Sequence, residues 1–294
     1  MRYLTALLAL LVSMSGPVQI GLAADTQRPQ FTFTAIPDQN EAELVRRFQQ
    51  VADYLSEQLE VDARYIPVKS YPAAITAFRN NQVQLAWFGG LSGVQARRAV
   101  QGSEAIAQGY EDQFFKSYFI AHKSAAIEAG EDLPKAVAGR TFTFGSKGST
   151  SGRLMPEFYI REAFGEAPDH VFSRVGFSGD HSRTIALVQS GAFEVGAVNY
   201  AVWDKAVANG EVDTDQVSVI WTTPAYADYQ WTVRGDIDRQ FGAGFKDRLT
   251  QALLAIDDKA ILDGFPRSAF VPADNDVYKA IEQTAQSIGL LDGF

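Results

Sequence analysis

Strand and helix patterns alternate along almost the whole chain, and that alternation limits the fold more than any other feature. Phe31-Thr-Phe-Thr-Ala-Ile36 alternates apolar and polar residues, as a strand does. Asn40 stands three residues before Glu43, a helix-capping arrangement, and Leu44, Phe48, Val51, Leu55 and Leu59 follow at helical spacing. Residues 61–68 return to strand, and Ser70-Tyr71-Pro72 opens a second helix with proline in its first turn. Leu85–Phe88 is a short apolar strand ending at Gly89-Gly90, with a helix over 91–100 and a strand over 104–108. A second series places strands at 141–144, 171–175, 193–199 and 217–222, and helices at 154–164, 183–190 and 200–208. From Ile237 onward the pattern is mostly helical. Such alternation predicts parallel sheets flanked by helices.

The two series are not separated by a flexible linker, so we expect two α/β lobes joined by extended crossovers near 114–122 and 222–233. Lobe 1 would comprise 25–115 and 224–294, and lobe 2 116–223. In such sheets ligands bind outside the carboxyl ends of the strands, here in the cleft between lobes. Met1-Arg2, a short apolar run from Leu4 to Val12 and the small residues Gly21-Leu22-Ala23-Ala24 match a secretory signal peptide over 1–24.

Charge and cysteine content then narrow the chemistry. The 294 residues carry 26 Lys+Arg against 35 Asp+Glu, a net of −9, which disfavours nucleic acid and anionic membranes as partners. Removal of Arg2 with the signal would make it 25 − 35 = −10. The chain has no Cys, which excludes disulfides, thiolate catalysis, Cys-ligated zinc and iron–sulfur clusters. Three His leave little material for a metal site, so neither metal nor cofactor is expected.

Chemistry concentrates at strand ends. Phe142-Thr-Phe-Gly145-Ser-Lys-Gly148-Ser149-Thr150-Ser151-Gly152-Arg153 runs from strand through a Gly/Ser/Thr loop into a helix. Free N–H groups at a helix start, beside three hydroxyls, make a neutral cradle for an oxyanion. The same residues also suit an ordinary helix cap. Lys147 precedes Gly148, so this is not a P-loop, and Thr150 occupies the centre of Gly148–Gly152, so it is not a nucleophile elbow. Pro156 should delay or kink the helix. His181, in Gly179-Asp-His-Ser-Arg183, would point into the same cleft as an N–H donor, or as a base for Ser149 or Ser151. Tyr71 offers a hydroxyl and Phe88 an apolar wall, although each also suits the core. Asn199 and Tyr200 lie at another strand end, where Asn199 serves equally as a helix cap, and Asp228 lies on the return crossover.

Tyr71-Pro-Ala73, Asn81–Gly89, Gly148-Ser-Thr-Ser-Gly152 and His181 occur in an order that resembles the periplasmic binding proteins of phosphonate/phosphite-type ABC transporters. The resemblance covers roughly 31–235. It implies a two-lobed type II periplasmic binding protein fold, each lobe a sheet flanked by helices, with two crossover strands as the hinge. The fold would close on a tetrahedral oxyanion: phosphonate, phosphite, phosphate or, as in one branch, selenate. Ser149, Thr150 and Ser151 would grip the anion, with His181 and Tyr71 closing on it. Phe88 falls where the family can carry a second Tyr, and Asp228 near an acidic position. An aminoalkylphosphonate needs a carboxylate for its ammonium group, and Val198-Asn-Tyr-Ala201 contains none. If Asp228 faces the ligand, an oxyanion that keeps a proton is favoured, because an unpaired carboxylate beside a dianion is costly. The implied partner is an inner-membrane ABC permease, and the implied state is a monomer in the periplasm. The rival expectations are a secreted serine hydrolase or esterase and the ligand-sensing partner of a membrane signalling protein.

Overall fold

The computed structural model describes residues 28–291, so the expected signal peptide lies outside the described residues. The first series begins with β1 (Gln30–Ala35), α1 (Glu41–Leu59), β2 (Asp62–Tyr65), α2 (Tyr71–Arg79), β3 (Leu85–Phe88), α3 (Gly90–Ala99) and β4 (Glu104–Gly109). Asn40 caps α1 by accepting the Glu43 N–H, and Ser70 caps α2 by accepting that of Ala73. The second series comprises β5 (Ser117–His122), β6 (Thr141–Phe144), α4 (Met155–Phe164), α5 (Pro168–Val171), β7 (Arg174–Phe177), α6 (His181–Gln189), β8 (Val195–Asn199), α7 (Tyr200–Ala208) and β9 (Val217–Thr222). The chain then returns through β10 (Gln230–Val233), α8 (Ile237–Phe241), α9 (Phe245–Leu254), α10 (Lys259–Gly264), β11 (Phe270–Pro272) and α11 (Lys279–Ser287).

Two sheets result, a six-stranded one in the order β11-β4-β10-β3-β1-β2 and a five-stranded one in the order β7-β6-β8-β5-β9. Three expectations need correction. The sheets are mixed rather than parallel: β10 runs antiparallel to β3 and β4, and β5 antiparallel to β8 and β9. A strand that enters a sheet from the opposite lobe arrives against the direction of its neighbours. The segments read as crossovers therefore contribute β5 and β10 as full sheet members. The strand expected at 171–175 begins instead at Arg174, because Pro168 opens the short helix α5. β11 interrupts the otherwise helical last third.

Between the sheets the two crossovers lie side by side. Phe115 and Tyr226 exchange backbone hydrogen bonds of 2.9 and 3.0 Å, and the Asp228 N–H donates to the Asp112 carbonyl. Arg267 forks onto the buried Asp112 carboxylate at 2.9 and 2.7 Å, which ties the C-terminal region to these crossovers. Phe31, Phe33, Phe48, Trp87, Trp231 and Phe265 fill the core beside the first sheet. The second sheet is covered on both faces, by Phe119, Phe142 and Trp221 on one side and Ile120, Ile185 and Val198 on the other. Each fully buried side chain of this size contributes about 1.5–3 kcal/mol.

Candidate functional site

The expected cradle forms one turn of π-helix, Thr150–Leu154, that runs directly into α4. Pro156 explains its geometry. In an α-helix residue 156 would donate to the Gly152 carbonyl, but proline has no N–H. The freed carbonyl accepts from Gly145 at 2.8 Å, and the wide turn closes through Leu154 N–H onto the Ser149 carbonyl at 3.0 Å. The α-helix proper thus starts only at Met155, after the π-turn, the late start that proline requires. Proline also leaves a carbonyl that ties the loop back to its strand. Gly152 sits so close that a Cβ there would lie 3.0 Å from both His181 Cε1 and Ser149 Oγ. Ser117 donates to the Ser151 carbonyl at 2.7 Å, and Tyr226 on the crossover bonds the same Ser117 hydroxyl at 2.6 Å.

The three hydroxyls are buried and face different partners. Ser149 Oγ accepts from Gly152 N–H at 2.9 Å and lies against the Tyr71 hydroxyl. Thr150 Oγ1 accepts from Leu91 N–H at 3.0 Å, across from the first sheet, and lies against Asp228. Ser151 Oγ is 3.5 Å from His181 Nε2. His181 Nδ1 accepts the Asn199 backbone N–H at 3.3 Å. That bond places the ring proton on Nε2, so His181 presents a donor to the serine side. Burial lowers its pKa to about 4, so the ring is neutral at ordinary pH.

Asp228 closes the opposite side. Its Oδ1 accepts the Gly90 N–H at 2.8 Å, while Oδ2 is buried without a partner. Burial raises its pKa to about 7, against the lowering effect of its hydrogen bonds to Gly90 and Thr150. The strand-end residues Tyr71, Ser149, Thr150, Ser151, His181, Asn199 and Asp228 thus converge around one closed seam between the sheets. Asn199 caps α7 through Oδ1 and donates through Nδ2 to the Tyr229 hydroxyl at 3.1 Å. Two other sequence candidates lie differently. The Phe88 ring is fully buried edge-on to Phe78, 5.7 Å away, and Tyr200 packs on Phe115 and Tyr118.

Sequence reading missed Asp38 and Tyr229. Tyr229 donates to Asp38 Oδ2 at 2.8 Å, and the Asp38 carbonyl accepts the His181 backbone N–H at 2.9 Å. Burial raises the Asp38 pKa, against the nearby Arg47 guanidinium. Asp38 follows the first strand by three residues, the same strand-end position that marked the other candidates.

The sequence and fold of this chain have counterparts among known proteins. The family model described as ABC transporter, phosphonate, periplasmic substrate-binding protein matches residues 33–278. A protein described as a probable ABC transporter phosphite binding protein, PhnD1 of Prochlorococcus marinus (strain MIT 9301), is 42% identical over 261 residues, 86% of this chain and 88% of that one. The structure of PhnD1 in complex with methylphosphonate aligns with a TM-score of 0.85, covering 88% of this chain and 98% of its own. The binding component of an ABC phosphonate transporter from Pseudomonas aeruginosa, 21% identical, shares the fold with a TM-score of 0.79 over 90% of this chain and 88% of that one. The family match across most of the sequence, together with that 42% identity, establishes that this chain belongs to the periplasmic substrate-binding proteins of phosphonate ABC transporters.

Proposed function

We propose that this chain captures phosphite or a small phosphonate in the seam between its lobes and delivers it, as a periplasmic monomer, to an inner-membrane ABC permease. The lobes would be 25–115 with 224–294, and 116–223, hinging at the paired crossovers. The observation that carries the reading is Asp228, whose buried Oδ2 has no partner although it faces the donor side formed by Ser149, Thr150, Ser151 and His181. Phosphite and phosphonates keep a proton through part of the neutral range and can donate it to that oxygen. Sulfate and selenate are fully ionised and bring no proton, so either can bind only the protonated form of Asp228, which is lost as pH rises above about 7. The names of the relatives agree, one a phosphite binder and one structure holding methylphosphonate.

Two further observations support binding without bond cleavage and a ligand without an ammonium group. With the proton on Nε2, His181 donates to Ser151 and cannot take that serine's proton, as a hydrolase would need. Asp38 gives Oδ2 to Tyr229 and its charge is countered by Arg47, so its one open oxygen, Oδ1, offers an ammonium little uncompensated charge. Calorimetry of the parent and Asp228→Asn against phosphite, methylphosphonate, phosphate, sulfate and selenate tests the reading. The parent should prefer the protonated phosphorus oxyanions, and the Asn variant should move the ratio toward sulfate and selenate by about tenfold or more. Parent binding of selenate or sulfate as tight as that of phosphite would overturn it.

A further inference from the structure

A second polar group, separate from Thr150 and Asp228, crosses between the two sheets as a closed ring of hydrogen bonds. Tyr229 donates its hydroxyl proton to Asp38 Oδ2 at 2.8 Å. With that proton committed, the hydroxyl oxygen accepts from Asn199 Nδ2 at 3.1 Å. The Asn199 backbone N–H holds His181 Nδ1 at 3.3 Å, and the His181 backbone N–H returns to the Asp38 carbonyl at 2.9 Å. Asp38 and Tyr229 flank strands of the first sheet, whereas Asn199 and His181 end β8 and begin α6 of the second. All four are buried. Two of the four bonds, Asn199 to Tyr229 and His181 N–H to the Asp38 carbonyl, therefore span the two sheets.

We propose that Asp38 and Tyr229 are positioning residues that latch the closed cleft by tying Asn199 and the start of α6 to the first sheet. Asp38 sets the direction of the Tyr229 proton, which leaves the hydroxyl lone pair facing Asn199. Asn199 is fixed independently by its cap on α7, so its backbone N–H stays on the imidazole. When the lobes part, the Asn199 amide and the first N–H of α6 exchange their partners for water. The latch adds little to the open form and lengthens the life of the closed one. Its Tyr229 ring stacks on Trp87 at 5.6 Å, so indole fluorescence reports the seam directly.

This inference rests on the oxyanion reading, and one kinetic series separates the two. Stopped-flow fluorescence with phosphite and methylphosphonate is run on the parent, Tyr229→Phe, Asp38→Ala and Asp38→Asn. Tyr229→Phe and Asp38→Ala should speed dissociation about three- to tenfold, the scale of one or two neutral hydrogen bonds, with association unchanged. Asp38→Asn, which keeps an acceptor for Tyr229, should restore most of the lifetime. Because the latch touches no ligand atom, the phosphite-to-methylphosphonate affinity ratio should stay at the parent value. Without ligand, the melting temperature of Tyr229→Phe should match the parent, while its ligand-induced rise shrinks; Asp38→Ala should melt lower because Arg47 loses its counter-charge. Unchanged dissociation in Tyr229→Phe, or a changed ratio between the two ligands, overturns the latch and leaves the oxyanion reading standing. A parent chain that binds neither ligand overturns both.

Discussion

The two walls of the seam are built from opposite chemistry. The wall on the second sheet presents donors: the hydroxyls of Ser149, Thr150 and Ser151, and the Nε2–H of a neutral His181. The wall on the first sheet presents two carboxylates, Asp38 and Asp228, each with one oxygen buried and unpartnered. Tyr71 is the exception there, with its hydroxyl against Ser149. A wall of donors alone would accept any small anion, since a hydrogen bond to a charged group contributes about 1.5–3 kcal/mol whatever the central atom. Under the proposed function, the carboxylates opposite it make the proton part of the recognition. The contrast also reinterprets the net charge of −9. Neutral donors and helix-end dipoles can bind an anion that the overall charge would repel.

The largest test of this contrast removes the donors. Ser149→Ala with Ser151→Ala should weaken oxyanion binding at least a hundredfold by calorimetry, while loss of the Ser149 cap costs about 1 kcal/mol of fold stability. Unchanged affinity would break the assignment of the donor wall. A second test uses pH, because one residue on each wall titrates in the opposite sense. His181 drops from 6.5 to about 4, so between these values the unfolded chain binds more protons and stability rises with pH. Asp228 rises from 3.8 to about 7, so the folded chain holds the extra proton and stability falls as pH rises through that range. Each effect is on the order of 3 kcal/mol over its full window. Relative to the parent, the melting temperature of Asp228→Asn should climb more steeply from pH 4.5 to 6.5, and that of His181→Gln should climb less or fall. Parallel profiles would show that the walls do not differ in this way. The smallest effect on binding is expected at Phe88→Tyr. Its hydroxyl would enter the packing against Phe78, so affinity should stay within about twofold while stability falls by about 1–3 kcal/mol.

What could be read from the sequence was local, and what could not be read depended on the lobes meeting. Asn40, Ser70 and Asn199 declare their helices through caps that act within three residues, and the structure uses all three. Leu85–Phe88, Thr141–Phe144 and Val217–Thr222 form strands over the expected residues, because short apolar runs between turn signals have few alternatives. β5 and β10 were legible only as extended chain, since strand direction is set by the sheet that receives them. The π-turn was visible only as a conflict between Pro156 and the Ser/Thr cap. Its resolution needed Gly145 as a partner seven residues earlier. Asp38 and Tyr229 escaped notice because their hydrogen bond spans 191 positions and no local pattern announces it.

The place of β10 has a consequence for how the chain is made. In the first sheet β10 lies between β3 and β4, which do not pair with each other. Residues up to 115 therefore hold four strands that cannot join into one sheet until Gln230–Val233 has been synthesised. The second sheet has no such gap, since all five of its strands lie in one unbroken stretch, 117–222. The middle of the polypeptide is thus able to fold before its beginning, and the N-terminal portion must wait, loosely structured, for the last third. A chain with this order of assembly stays threadable through a narrow passage for most of its synthesis.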